Sequence, residues 1–325
     1  MNKPLISKVA KQLIKRAYAF TLGKPIGKYK EKERQLFLSS KLRHVSKQEL
    51  VEDIRNFGFF SGSTVFVHSS LKNIGYIEGG AVTILEVLID VIVHQCKGTL
   101  ALPAFSINGT MHNTLQEGKC FDVIKTPTNM GALPLKFSKM DGVIRSVHPT
   151  HSVAAMGNEA SWLTEGHISC GTNFGPGSPF HRLIETDGYI CGLGTHLGTV
   201  TFYHVLEDTI PDYPVNIYSK DSPFEIVCKD INGVEHRNKY YSHKKDGSRT
   251  RIDSSNNIWI REIYTKYFEA YGNLRWHKIG ETKAWVIKAS DMYRCMKELC
   301  DMRLTIYTTE SEGIPAPTGL KGTMG

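Results

Sequence analysis

The stretch Gly188-Tyr-Ile-Cys-Gly-Leu-Gly-Thr-His-Leu-Gly-Thr-Val-Thr-Phe-Tyr-His-Val-Leu-Glu-Asp208 constrains the fold more than any other part of the chain. Gly188 to Cys191 reads as a short apolar strand. The glycines at 192, 194 and 198 make a loop, and a helix opens near Thr201. A strand that feeds through a glycine loop into a helix is a unit of α/β architecture. On such a helix Thr201, His204 and Glu207 recur every three residues and share a face, with Asp208 on the same side. A hydroxyl, an imidazole and a carboxylate on one face are the parts needed to move a proton and stabilise an oxyanion. The competing reading is a surface helix with an incidental histidine.

The rest of the chain repeats the alternation. Lys47 to Asn56 reads as a helix, Ser63 to His68 as a strand, and Val82 to Val93 as a helix apolar almost all round. Thr99 to Phe105 and Val153 to Met156 read as strands. Leu133 to Lys139, with Pro134 in its first turn, reads as a short helix. The loop Gly171 to Pro179 leads into a helix at Phe180 to Ile184, and Ala289 to Cys300 closes the fold as a helix. Residues 215–260 suggest strands with turns at Asn232-Gly233 and Asp246-Gly247, which would make the sheet mixed. The expectation is an α/β single domain with a central mixed sheet flanked by helices. It spans 44–313, between a basic helical extension at 1–43 and a disordered tail at 314–325.

Charge is concentrated at one end. Residues 1–43 hold twelve Lys/Arg against two Glu, so the remainder carries about −2 of the formal +8. Residues 5–22 form an amphipathic basic helix by pattern, suited to docking on the parent domain, a partner or an anionic membrane surface. A second basic cluster runs from Arg237 to Arg251, where apart from Tyr240 and Tyr241 no aromatic residues interleave as a nucleic-acid groove requires. No nucleic-acid partner is therefore expected. No run reaches the roughly 18 apolar residues of a membrane span. Lysines break the N-terminal segment where a secretory signal would be apolar. The seven cysteines form no Cys-x-x-Cys pair, which points to a reduced cytoplasmic setting.

Four segments at apparent strand ends carry polar and small residues: 67–75, 102–106, 145–152 and the glycine loop. Beyond the ends of α/β strands is where ligands gather. Backbone amides of Ser69, Ser70 and Leu71, opening onto Gly75, suit phosphate oxygens. Two other readings stay open. Gly192-x-Gly194-x-x-x-Gly198 approximates a dinucleotide fingerprint, with its last spacing one residue too long. His148 and His151 with His204 are a conceivable zinc set, on a Pro-containing loop of unusual ligand spacing.

In order along the chain, His68-Ser-Ser-Leu with Gly75, Gly98-Thr-Leu-Ala-Leu-Pro103, Met130-Gly131, Arg145-Ser-Val-His-Pro-Thr-His-Ser152, Gly177-Ser-Pro179 and Thr201-x-x-His204-x-x-Glu207 resemble the aminoglycoside 3-N-acetyltransferase family. A weaker echo follows in Ile279 to Ala289. The resemblance implies an acyltransferase that uses acetyl-CoA or another acyl-CoA as cosubstrate, without a metal. By that resemblance His204 is the catalytic histidine, Glu207 its carboxylate partner and Thr201 a hydroxyl near the thioester carbonyl. Ser69, Ser70, Leu71 and Gly75, with Arg145 and Ser146, are the expected coenzyme contacts. His68, Phe105, His148 and Asp208 are the expected acceptor contacts.

A polycationic aminoglycoside calls for a carboxylate-lined site. The near-neutral body and the basic cluster at 237–251 lean instead towards a nucleotide-linked amino deoxysugar for surface polysaccharide synthesis. An aminoglycoside acetyltransferase conferring antibiotic resistance is the alternative. A non-catalytic CoA- or sugar-binding protein on the same fold is a third possibility.

Overall fold

The computed structural model describes residues 43–170, 172–244 and 250–317. The expected helix over 5–22 and the Asp246-Gly247 turn lie outside the described residues. The chain divides into two units, Met1–His44 and Val45–Gly325, and every element below belongs to the second. In chain order the strands are β1 (Thr64–Ser69), β2 (Thr99–Pro103), β3 (Phe121–Asp122), β4 (Ile144–Arg145), β5 (Val153–Gly157), β6 (Tyr189–Leu193), β7 (Phe224–Lys229), β8 (Glu235–Tyr240), β9 (Arg275–Ile279) and β10 (Thr282–Lys288). The helices are α1 (Lys47–Arg55), α2 (Ala81–Leu88), α3 (Met111–Gln116), α4 (Ala132–Phe137), α5 (Ala160–Thr164), α6 (Pro179–Glu185), α7 (His204–Thr209), α8 (Ile258–Tyr271) and α9 (Ala289–Asp301).

Seven strands form the central sheet in the order β4-β5-β2-β1-β6-β10-β9. The middle three, β2-β1-β6, are parallel, and the pairs outside them are antiparallel. Parallel strands at a sheet centre are covered on both faces, which is why these three read as unbroken apolar runs. Their side chains still alternate between two cores. Phe66, Ala101, Ile190 and Trp285 point to the side that includes Leu183, Tyr264, Phe268 and Met292. Val65, Val67, Leu100, Leu102, Cys191 and Val286 point to the side of Leu50, Ile54, Ile84, Leu88 and Phe137.

The mixed character expected of the sheet is present, but its source differs from the expectation. Residues 215–240 do not join the central sheet. They supply β7 and β8, an antiparallel hairpin that pairs with β3 in a separate three-stranded sheet. Antiparallel β5, β4, β10 and β9 make the large sheet mixed instead. From Ile258 the chain is helical, because Ile260, Ile263, Tyr264, Tyr267 and Phe268 bury one face at helical spacing. In β7–β8 the Asn232-Gly233 turn is formed as expected, with Asp230 Oδ1 accepting from the amides of Asn232 (2.9 Å) and Val234 (3.0 Å).

The C-terminal ends of β1, β2 and β6 open at one edge of the sheet. There the glycine loop is held from three sides. Ser70 N donates to Leu193 O (2.8 Å), Asn73 Nδ2 to Gly194 O (2.7 Å), and Trp285 Nε1 to Thr195 O (2.9 Å). Gly192 leaves the space the Trp285 ring occupies: a Cβ there would lie 2.2 Å from Cε2. Gly194 adopts φ +66, where a side chain would be strained. Trp285 is fully buried, so it has little room to yield. Gly192→Ala is therefore expected to cost about 1–3 kcal/mol by overpacking, measured as a lower urea midpoint at unchanged slope. An unchanged midpoint would mean that Trp285 does not fix this loop.

Candidate active site

The loop after β6 runs into a 3-10 turn at Thr201–Tyr203, and α7 begins only at His204. The helix is shorter than the sequence suggested, yet Thr201 and His204 both line a cleft of about 730 Å³. Phe105, Ile107, Asn129, His151, His243, Arg251 and Tyr307 are among the other residues around it. Glu207, one turn beyond His204, has no exposed side-chain surface. His204 Nδ1 donates to Glu207 Oε2 at 2.8 Å, and the Tyr307 hydroxyl donates to Oε1 at 2.8 Å. Phe174 packs on His204 with ring centroids 5.1 Å apart.

Burial alone would raise the pKa of the Glu207 carboxyl. The attraction of the charge His204 carries when it has taken a proton, its hydrogen bond and that of the Tyr307 hydroxyl outweigh it and hold the group below the usual carboxylate range. An ionised Glu207 only accepts hydrogen bonds, so the proton between the two groups sits on His204 Nδ1. In the neutral ring that fixes the tautomer, with the lone pair on Nε2. Base, orienting carboxylate and nearby hydroxyl are the arrangement required for proton transfer during acyl transfer.

The other expected site residues divide by position. Phe105 lines the cleft. Ser69, Ser70, Leu71 and Gly75 lie at the C-terminal end of β1, beside the glycine loop and outside the cleft lining. Arg145 is occupied by the protein itself: its guanidinium donates to Ser152 Oγ (3.0 Å), Ala104 O (2.7 Å), Ser106 Oγ (2.9 Å) and Thr126 O, and packs over the Phe121 ring. Ser146 Oγ bonds His167 Nδ1 (2.9 Å) and accepts from Val153 N (2.8 Å).

His148 is fully buried, accepts at Nδ1 from the amides of Thr150 and His151, and stacks on His167. Asp208 accepts from Phe174 N (2.8 Å) and from the Tyr218 hydroxyl, anchoring the segment that carries Phe174. His68 is buried against Phe66. These residues do not line the cleft. The His148, His151 and His204 set does not converge: the metal-competent grouping among the described residues is His204, Glu207 and His243.

Sequence reasoning missed Tyr307, Phe174 and His243. Tyr307 stands alone in an unremarkable segment, and Phe174 sits in the 171–179 loop, which reads only as the entry to a helix. His243 fell inside a cluster read only for its positive charge.

Five histidines are held neutral by burial. The pKa falls to about 4 for His68 and to about 3 for His167 and His243, and well below the usual value for His148 and His151. In the unfolded chain these rings take up protons near pH 6.5. Between that pH and their folded values the unfolded state binds more protons, so stability falls as pH is lowered through this window. The melting temperature is expected to drop steadily from pH 7 to pH 4.5. A flat profile across that range would contradict the buried-neutral assignment.

A family model described as aminoglycoside 3-N-acetyltransferase matches residues 66–301. The SPbeta prophage-derived aminoglycoside N(3')-acetyltransferase-like protein YokD of Bacillus subtilis is 32% identical over 218 residues, covering 60% of this chain and 78% of that protein. Aminoglycoside N(3)-acetyltransferase IX of Micromonospora chalcea is 31% identical over 176 residues, covering 50% of this chain and 62% of the relative's length. In three dimensions the chain resembles aminoglycoside acetyltransferase AAC(3)-Xa, with TM-score 0.70 and 22% identity, covering 85% of this chain and 99% of that one. AAC-IIIb, solved as a binary complex with CoASH, gives TM-score 0.66 at 21% identity, covering 82% of this chain and 100% of that one. Both structural likenesses speak for the mixed α/β fold. With the family model spanning the whole sheet from β1 to α9, the chain belongs to the aminoglycoside 3-N-acetyltransferase family.

Proposed function

We propose that this protein transfers the acetyl group of acetyl-CoA to an amine of an aminoglycoside. The observation that carries the reading is the cleft-lining His204 held through Nδ1 by a buried, ionised Glu207, with Thr201 one turn before it. The amine nitrogen attacks the thioester carbonyl, and His204 Nε2 takes the proton that nitrogen sheds. Glu207 balances the imidazolium that results. Thr201 Oγ donates to the tetrahedral oxyanion. Collapse breaks the C–S bond, and His204 returns its proton to the coenzyme thiolate. The thioester is already activated, so no acyl-enzyme is needed.

Solved relatives support the two substrate classes: one is AAC-IIIb with CoASH, another AAC-VIa bound to sisomicin. For the coenzyme we retain Ser69, Ser70, Leu71 and Gly75, which lie at the same sheet edge. Arg145 and Ser146 drop out of that proposal because their polar atoms are spent within the protein.

One observation favours a second acceptor, a nucleotide-linked amino sugar. Among the described residues around the cleft none is Asp or Glu, whereas Lys244 and Arg251 are present. Of the acids beside it, Glu207 and Asp253 are paired with His204 and Arg251, and Asp221 lies 3.4 Å from the cleft-lining His112. A cleft whose described lining carries no carboxylate discriminates poorly in favour of a polycation.

His204→Ala is expected to reduce kcat/KM by about 10²–10⁴-fold while coenzyme A binding persists. Thiol release from acetyl-CoA, assayed with aminoglycosides beside nucleotide-linked amino sugars, identifies the acceptor class. Turnover confined to nucleotide sugars would reject the aminoglycoside reading. Turnover undiminished in His204→Ala would reject the mechanism.

A further inference from the structure

Glu207 has a third neighbour that the acyl transfer does not use. His243 lies just beyond β8, where its backbone bridges to Tyr218. Its Nε2 is 3.6 Å from Glu207 Oε2, beyond normal hydrogen-bond length. That nitrogen is buried and has no hydrogen-bond partner among the described residues. A buried ring nitrogen left unpaired is uncommon enough to need a reason. The His243 ring stands edge-on to His204, with centroids 4.9 Å apart.

One ligand atom from each of His204, Glu207 and His243 lies within 4.8 Å of the other two. A tetrahedral zinc ion with bonds of about 2.0–2.2 Å holds its ligand atoms roughly 3.3–3.5 Å apart. The His204–Glu207 pair at 2.8 Å would open by about 0.5–0.7 Å, the His243–Glu207 pair at 3.6 Å would close by about 0.1–0.3 Å, and the two imidazole nitrogens, within 4.8 Å of each other, would close by up to roughly 1.5 Å. Two imidazoles with one carboxylate suit zinc-like cations and disfavour magnesium or calcium, which require mostly oxygen ligands. Tyr307 fixes the carboxylate from its other oxygen, the outer-shell support a metal ligand needs. His204 and His243 both line the cleft, so the site borders it.

We infer that His204, Glu207 and His243 form a site for one zinc-type divalent cation, and that its occupation switches acyl transfer off. The ion takes the lone pair of His204 Nδ1 and the carboxylate that orients it; the ring proton moves from Nδ1 to Nε2, so the nitrogen that would accept the amine's proton no longer has a lone pair. It acts as an inhibitor and has no part in the transfer itself. The binding half stands on geometry alone; the switching half rests on His204 being the base.

The test uses chelator-treated full-length protein titrated with Co²⁺ and then Zn²⁺. One Co²⁺ per chain is expected, with the intense visible bands of four- or five-coordination, displaced by one Zn²⁺. X-ray absorption of the zinc form of the unmutated protein should count two imidazoles and no sulfur. His243→Gln should weaken Co²⁺ binding by roughly tenfold or more, while Thr201→Val, a change in the same cleft, should not. Circular dichroism checks that each variant is folded, and the X-ray absorption result stands independently of any variant. Absence of stoichiometric binding, or sulfur in the zinc shell, overturns the site. Zinc bound to two imidazoles without loss of acetyl transfer overturns the switch and the role of His204, but leaves the binding site intact.

Discussion

A fully buried carboxylate is the fixed point of this structure. Glu207 carries its charge in a place where an unpaired charge would be prohibitively costly, and the surrounding fold supplies partners for both oxygens. His204 comes from the same helix. Tyr307 comes from the segment that follows α9, and His243 from the end of the small sheet. Three separate parts of the unit thus meet at one functional group. Losing one partner leaves a buried acceptor unsatisfied, so the network that orients the base also ties the C-terminal segment to the sheet edge.

The central sheet makes that meeting possible. Parallel β2-β1-β6 place three loops at one edge, and the last of them leads into α7. Trp285 reaches across from β10 to fill the space above Gly192 and cap Thr195, so the loop that delivers His204 is held by a core residue. Beneath it, buried polar groups that resemble ligand contacts serve the scaffold. Arg145 ties together the loops after β2 and β3, and Asp208 anchors the Phe174 segment whose ring supports His204.

This division explains what the sequence could and could not reveal. β1, β2, β5 and β6 were legible because buried strands are compact apolar runs bounded by turn residues. Thr201, His204 and Glu207 were legible because the whole set lies within seven residues on one local period. Helix α8 was obscured by attention to the turn dipeptides before it, although its buried positions follow helical spacing. β9 and β10 surfaced only as a motif echo. Buried Arg, Ser, His and Asp beside strand ends read the same whether they hold a ligand or their own backbone, so Arg145, Ser146, His148 and Asp208 could not be told apart from ligand contacts. His243 and Tyr307 lie far from His204 in sequence and share no pattern with it.

The central claim is direct transfer from thioester to amine within a ternary complex, driven by a base that Glu207 orients. Initial velocities measured while acetyl-CoA and the accepted amine are varied together test it most directly. Double-reciprocal lines that intersect, with no acetyl group retained on the protein when acetyl-CoA is supplied alone, are the predicted result. Parallel lines with an isolable acetyl-enzyme would contradict it, and would move the chemistry from His204 to a nucleophile elsewhere in the chain.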